Sequence, residues 1–248
     1  MMKGIILAGD SGSRLNPLTL GIPKQLIPIY DKPMIYYPID ILVKSSITEL
    51  LVITTEVQQP LFRKAIGDGD LFGCKITYAI QNAPNGIADA INIATDFIGK
   101  DGVCLITGDT IIDGPDFGEQ IKKSIRAVKK SGNATIFVEN KTYEDQYGRV
   151  VMDKDRKPLS IMGDMDASHY YSIVSLYVFP NKVVDIAKEI MPSERGRYEI
   201  TDVNKWFFEE CKLQVQVLDS KCIWFDTNTF DNILKCGNYM KQKQFNNR

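Results

Sequence analysis

Apolar and polar positions in the first 140 residues follow two alternating rhythms. Short continuous apolar runs read as buried strands: Gly4-Ile5-Ile6-Leu7-Ala8, Leu50-Leu51-Val52-Ile53-Thr54, Ile76 to Gln81, Val103 to Thr107 and Ala134 to Val138. Between them the apolar residues take helical spacing. Ile35, Tyr36, Ile39, Leu42 and Val43 recur between Pro33 and Ser45, and Pro33 suits a first helical position. Gln59 to Ile66, Gly86 to Ile98 and Phe117 to Lys130 read as further helices, the last with Ile121, Ile125 and Val128 on one face and lysines opposite. This alternation predicts an α/β fold with a mostly parallel, Rossmann-like sheet covered by helices on both faces, three layers in all.

After Thr142 the rhythm changes. Gly148 to Met152, Leu159 to Met162 and Tyr170 to Phe179 read as strands with no helix between them. Helices follow over Lys182 to Ile190 and Ile200 to Cys211, then strands near Val215 and Ile223 and a last helix from Phe230. The polar ending, Lys241 to Arg248, is expected to fray. No proline- or serine-rich linker and no internal repeat divides the chain, so 1–248 reads as one domain with a β-rich region inserted.

Composition narrows the function classes. The 248 residues are 44% hydrophobic and 25% charged, near the globular average. With Lys+Arg 30 against Asp+Glu 31, nothing draws the chain to nucleic acid or to an anionic membrane. No apolar run approaches the roughly 20 residues of a spanning helix. Lys3 alone precedes the first apolar run and Gly9-Asp10 follows it, which does not read as a cleavable leader. Five cysteines, odd in number and never in C-x-x-C, read as reduced, mostly buried thiols of a cytoplasmic protein. A single histidine, His169, excludes mechanisms that need two imidazoles, and its place near a strand start reads as an edge or surface residue.

The chemistry concentrates in the first 40 residues. Leu7-Ala8-Gly9-Asp10-Ser11-Gly12-Ser13-Arg14-Leu15 follows a strand, its glycines able to bring backbone N–H groups to phosphate and its arginine able to make two-pronged bonds. It is neither a dinucleotide fingerprint nor a Walker loop. Ile22-Pro23-Lys24-Gln25-Leu26-Ile27-Pro28 then sets a lysine between prolines in an apolar stretch, and Asp31-Lys32-Pro33-Met34-Ile35-Tyr36-Tyr37-Pro38 opens the next helix. These three blocks resemble the L-A-G-G-x-G-[ST]-R-L, K-Q-L-L-P and K-P-M-I-Y-Y-P patterns of the sugar nucleotidyltransferase family, at that family's intervals. The resemblance continues through most of the chain.

The resemblance implies a three-layer nucleotidyltransferase fold, with 1–140 as nucleotide-binding half, 141–230 as acceptor-binding half and 231–248 as terminal helix and tail. It implies that a sugar-1-phosphate oxygen attacks the α-phosphorus of a nucleoside triphosphate, dTTP by default, releasing pyrophosphate. Arg14 and Lys24 then hold the triphosphate as catalytic cations, with Leu7, Ala8, Gly9, Gly12, Ser13 and Gln25 around the nucleotide. Gln81-Asn82-Ala83-Pro84-Asn85-Gly86-Ile87-Ala88-Asp89-Ala90 matches the base-reading segment Q-P-x-P-x-G-L-A-Q-A, which makes Gln81 and Gly86 base contacts. Asp109 in Thr107-Gly108-Asp109 and Asp226 in Trp224-Phe225-Asp226-Thr227 match the family's Mg²⁺ aspartates, a reasonable magnesium pair with phosphate oxygens and water. Gly148, Val174 and Glu199, the last in Arg195-Gly196-Arg197-Tyr198-Glu199-Ile200-Thr201-Asp202, fall at acceptor-binding positions. Relatives are commonly dimers or tetramers, so a homo-oligomer is expected. Longer members carry further C-terminal helices at an effector site between subunits, so this shorter chain is expected to have weaker feedback control or none.

Departures from the family patterns fall on the loop and on the acceptor side. Asp10 replaces the loop's second glycine and is expected to turn outward or cap the loop. The E-E-K-P motif is missing, and Ser160-Ile161-Met162-Gly163-Asp164-Met165-Asp166 stands in its place. Asp164 occupies the position of a phosphate-binding lysine, which reverses the local charge, and Arg156 and Lys157 are the nearest replacement cations in sequence. Ser175 replaces a glycine, and Asn228 and Phe230 alter W-x-D-T-G-T-H. These changes leave two other readings open: the same chemistry on an amine-bearing phosphorylated acceptor, as in related cytidylyltransferases, or a nucleotide-binding regulatory protein without catalysis.

Overall fold

The computed structural model describes residues 1–140, 148–161 and 170–246. Thirteen strands and eight α-helices lie in these residues. In chain order they are β1 (Met2–Leu7), β2 (Pro28–Ile29), β3 (Lys32–Pro33), α1 (Tyr36–Lys44), β4 (Glu49–Thr54), α2 (Gln59–Ile66), β5 (Lys75–Ile80), α3 (Asp89–Ile93) and α4 (Thr95–Ile98). Then come β6 (Gly102–Thr107), β7 (Ile111–Asp113), α5 (Phe117–Ser131), β8 (Ala134–Glu139), β9 (Arg149–Met152), β10 (Pro158–Ile161) and β11 (Tyr171–Phe179). The chain continues through α6 (Val183–Glu189), α7 (Ile200–Glu209), β12 (Leu213–Val217), β13 (Ile223–Phe225) and α8 (Phe230–Asn246).

The main sheet runs β10-β9-β11-β6-β1-β4-β5, with β8 on β11 and β12 on β8. β6, β1, β4 and β5 are parallel neighbours, as are β8 and β12, whereas β11 is antiparallel to β6, β8 and β9. β11 therefore lies between β6 and β8, and strands from both sides of residue 140 share one sheet. Adjacent residues of each central strand feed opposite cores. Ile6, Val52, Cys104 and Ile106 pack with α1, α2 and α5 on one face. Ile5, Leu51, Ile53 and Leu105 pack with α3, α4, α6 and α7 on the other. The apolar runs are unbroken because both faces are covered.

Three expectations need correction. Pro33 does not start α1. It pairs with Pro28 in the two-residue ladder β2–β3, and the helix begins at Tyr36. The ring's missing N–H is harmless at such an edge. The helix expected from Gly86 to Ile98 starts only at Asp89, where Tyr198 holds the entry segment, and divides at Ala94, whose φ of −87° and ψ of 5° leave helical geometry. The Tyr198 N–H donates to the Asn85 carbonyl at 2.6 Å, and the Ala88 N–H donates to the Tyr198 carbonyl at 3.2 Å. The ending expected to fray is helical through Asn246. Tyr239 Oη donates to Asp113 Oδ2 at 2.8 Å and Lys243 also meets Asp113, while Cys236 and Met240 pack with Leu15, Ile29, Met34 and Ile111 in a third cluster beneath the first loop. Among the described residues no helix is long and apolar enough to cross a membrane.

All five cysteines are free thiols; Cys104, Cys222 and Cys236 are buried, Cys74 is half-buried and Cys211 is exposed. Burial pushes Cys104 and Cys236 up to about 12. A raised thiol pKa delays the thiolate to higher pH, so at pH 8 about one in 10⁴ of these groups is nucleophilic. Iodoacetamide at pH 8 should therefore alkylate Cys211 first and spare Cys104 and Cys236 until the protein unfolds, as read by peptide mapping. Rapid modification of Cys104 in the folded protein would contradict this packing.

Candidate active site

The parallel strands β1, β6, β4 and β5 end together: Leu7 lies opposite Thr107 and Ile53, and Thr54 opposite Ile80. Beyond these carboxyl ends opens a cavity of about 420 Å³, where ligands of open α/β sheets gather. Leu7, Gly9, Gly12, Ser13, Arg14, Lys24, Gln25, Gln81, Gly86, Asp109 and Asp226 all line it. Ala8 lies behind the wall, fully buried, its N–H on the Ile53 carbonyl at 2.7 Å. A second cavity of about 410 Å³, among α1, α5 and α8, holds none of the predicted residues.

The first loop turns at Gly12, at φ 63° and ψ 30°. A side chain there would be strained and crowded, since a Cβ would fall 2.9 Å from Lys24 Cβ and from Thr19 Cγ2. Leu15 is fully buried and anchors the single 3₁₀ turn Ser13–Leu15, which leaves Arg14 exposed on the cavity wall. Asp10 is exposed, and its Oδ1 accepts the Gly12 N–H at 3.3 Å, so it caps the loop.

Lys24 is fully buried. Its Nζ donates to Asp109 Oδ2 at 2.5 Å and to Asn228 Oδ1 at 2.8 Å. Burial pushes the Asp109 carboxyl up, but the Lys24 ammonium and a hydrogen bond from Thr107 outweigh it and hold the group below the ordinary carboxylate value. Thr227 Oγ1 donates to the Asp109 carbonyl at 3.1 Å, and the Asn228 N–H donates to Asp226 Oδ1 at 2.9 Å, which straps the second aspartate's loop to the first. Among the described residues no three acidic, histidine or cysteine side chains cluster as a protein-only metal cage. Two carboxylates on one cavity wall fit magnesium, which keeps water and takes phosphate oxygens, better than zinc.

Gln81 ends β5 and is 4% exposed. Its Nε2 donates to Asp89 Oδ2 at 2.8 Å and to the Gly86 carbonyl at 3.1 Å. Gly86 sits at φ 101°, where a Cβ would come 2.3 Å from the Tyr198 carbonyl oxygen, so no other residue fits. Gln25 is 1% exposed and its Oε1 has no partner among the described residues, an acceptor that a bound ligand would satisfy.

The acceptor positions are dispersed. Gly148 packs by Ile173 and Thr201, and Val174 is fully buried in the sheet. Glu199 precedes α7, its Oε1 accepting from Ser193 Oγ at 3.0 Å and Arg195 Nη2 at 2.9 Å. None of the three lines the cavity. Asp164 and its neighbours Gly163, Asp166 and His169, like Tyr147, lie outside the described residues. Arg156 and Lys157 are exposed in the β9–β10 turn and do not line it either. In their place Ser175 and Arg197 reach the cavity. Ser175 has φ 54° and marks a register shift of β11 against β8 between Ile173 and Tyr177, a bulge that aims it at the site. Arg197 lies in the Arg195 to Asp202 segment, to which the resemblance gives only Glu199 as a contact. Its charge was the available signal, but only the chain's return past Asn85 shows where that charge goes.

Comparison with known proteins places the chain in a family. The family profile described as nucleotidyl transferase matches residues 3–243. A glucose-1-phosphate thymidylyltransferase of Mycolicibacterium smegmatis is 42% identical over 241 residues, 97% of this chain and 82% of that protein. The Neisseria meningitidis enzyme of the same name is 38% identical over 244 residues, 98% of this chain and 84% of that protein. Among solved structures, a Bacillus anthracis protein described as a glucose-1-phosphate thymidylyltransferase, in complex with a sucrose, superposes with a TM-score of 0.86 at 29% identity, over 96% of this chain and 95% of that one. By sequence over nearly its whole length and by fold, the chain belongs to the nucleotidyl transferase family.

Proposed function

We propose that the protein transfers a thymidylyl group from dTTP to a sugar 1-phosphate, glucose 1-phosphate by default, and releases pyrophosphate. The observation that carries this reading is the convergence of Arg14, Lys24, Asp109 and Asp226 with Gln81 and Gly86 on one cavity at the carboxyl ends of parallel strands. The names and nearly full-length similarity of the relatives support it.

An ionised oxygen of the acceptor phosphate bonds to the α-phosphorus as the bond from that phosphorus to the β-phosphate oxygen breaks, and its electrons leave with pyrophosphate. The nucleophile carries no proton at neutral pH, so no general base is required, and the protein's task is alignment and charge stabilisation. Lys24 is suited to the second part. Its ammonium is buried and already oriented by Asp109 and Asn228, so its field at the reacting phosphate is weakly screened and needs little reorganisation. Arg14, exposed on the cavity wall, offers a two-pronged grip on the outer phosphates. Asp109 and Asp226 would hold a magnesium ion, which supplies neutralisation of the triphosphate charge when bound. On the acceptor side, Arg197 takes the part of the cation absent at position 164 and keeps an anionic acceptor favoured over an amine-bearing one.

With Mg²⁺, dTTP and glucose 1-phosphate the protein should release pyrophosphate; no release with any sugar phosphate, although nucleotide binds, would leave the non-catalytic reading. Lys24→Met should lower kcat at least about 10²-fold. It should also lower stability by roughly 3 kcal/mol, because Asp109 loses its partner, as a denaturant titration would show. Arg197→Ala should raise KM for the sugar phosphate about tenfold and leave KM for dTTP unchanged. A rise in both constants would place Arg197 on the nucleotide instead.

A further inference from the structure

We propose that Asp89 sets which hydrogen-bonding face Gln81 shows to the nucleobase, so that the cavity takes a pyrimidine bearing an N3–H, thymine or uracil, over cytosine. This rests on the nucleotidyl-transfer reading and specifies its donor.

A glutamine amide has an acceptor end and a donor end of nearly the same shape, and by itself it turns either way. One end of the Gln81 amide faces two groups that only accept, the Asp89 carboxylate at 2.8 Å and the Gly86 carbonyl at 3.1 Å. That end must be the NH₂, and both of its hydrogens are used. Turning the amide over would bring three oxygens together with no proton between them, inside a side chain that is 96% buried by its 4% exposure. The remaining end, Oε1, lies 3.5 Å from where a Cβ would stand on Gly9, at the cavity wall, and accepts nothing among the described residues. A fixed acceptor at that point satisfies the N3–H of thymine or uracil and opposes the N3 lone pair of cytosine.

The neighbouring donor strengthens the pattern. The Gly86 N–H makes no hydrogen bond among the described residues, and Gly86 lines the same cavity, its φ of 101° holding the peptide against Tyr198. An acceptor and a donor side by side match N3–H beside a ring carbonyl. In that same pose cytosine turns its N3 lone pair toward the Gln81 oxygen, where no proton lies between them. Asp89 stands where the base-reading pattern Q-P-x-P-x-G-L-A-Q-A carries a glutamine. That amide can orient Gln81 but does not compel it, whereas a carboxylate has no second option.

Titration calorimetry with Mg²⁺ and no acceptor, so that nothing turns over, would compare dTTP, dCTP and inorganic tripolyphosphate on the full chain. The wild-type protein should bind dTTP about tenfold or more tighter than dCTP. Asp89→Asn, equal in size but able to donate, should reduce that ratio about fivefold or more and leave tripolyphosphate affinity unchanged. Gln81→Ala should erase the ratio independently of the helix start at Asp89. A wild-type ratio retained in Asp89→Asn would overturn the proposal, as would an equal loss of all three ligands, which would make Asp89 a support for α3 only. If the wild type binds all three but does not separate the two nucleotides, base reading by Gln81 falls and Asp89's role with it. If it binds none of them, the nucleotidyl-transfer reading itself fails.

Discussion

A fully buried ammonium is the constraint around which the catalytic edge is organised. Removing a lysine's charge from water costs several kcal/mol even after relaxation, and only close, well-aligned partners offset it. Lys24 has two, Asp109 on the loop after β6 and Asn228 on the loop after β13. To meet it, three distant segments must arrive together, and each is tied down further. Gly12 lets the first loop lie against the lysine stem, Thr227 binds the Asp109 carbonyl, and the Asn228 N–H binds Asp226. The third apolar cluster, with α8 beneath the loop, holds the assembly from below. A buried charge is thereby held at the wall of the cavity.

The sheet supplies the second condition. Parallel pairing of β6, β1, β4 and β5 brings their carboxyl ends to a single edge, so much of the cavity is lined by residues that follow those strands. β11 enters the sheet antiparallel and is broken in register at Ser175, which takes a left-handed backbone conformation. Non-glycine residues hold such a conformation only when their surroundings impose it. Here β6 and β9 pair with different ends of the same strand edge and β8 with the other edge. The strain sits at the cavity wall, at a position where the family pattern carries a glycine.

The cavity is also balanced in charge. Arg14, Lys24 and Arg197 face Asp10, Asp109 and Asp226. Polyanionic substrates approach such a surface favourably only in company with a divalent cation, since the carboxylates alone repel them. Asp10 is held in the loop by the Gly12 N–H, which limits its effect on the phosphates to that of a capping group.

Several elements were legible without coordinates. β4, β6, β8 and α2 follow directly from apolar runs and helical spacing because burial on two faces, or on one stripe, selects residue type at every position. Gly12, Arg14 and Lys24, which line one cavity, were singled out by residue type and motif spacing alone. The late start of α3 and the helical C-terminus were not legible, because each depends on a partner far along the chain, Tyr198 for the first and Asp113 for the second, and the hairpin β2–β3 was not because proline suits a strand edge as well as a helix start. The sequence by itself therefore determined which segments form the layers and which side chains can handle phosphate, through periodicity and chemical type. Only the tertiary structure decided that β11 threads between β6 and β8, that Arg197 reaches the cavity and that Asp89 faces Gln81, because strand order and side-chain direction arise from long-range pairing that no local pattern encodes.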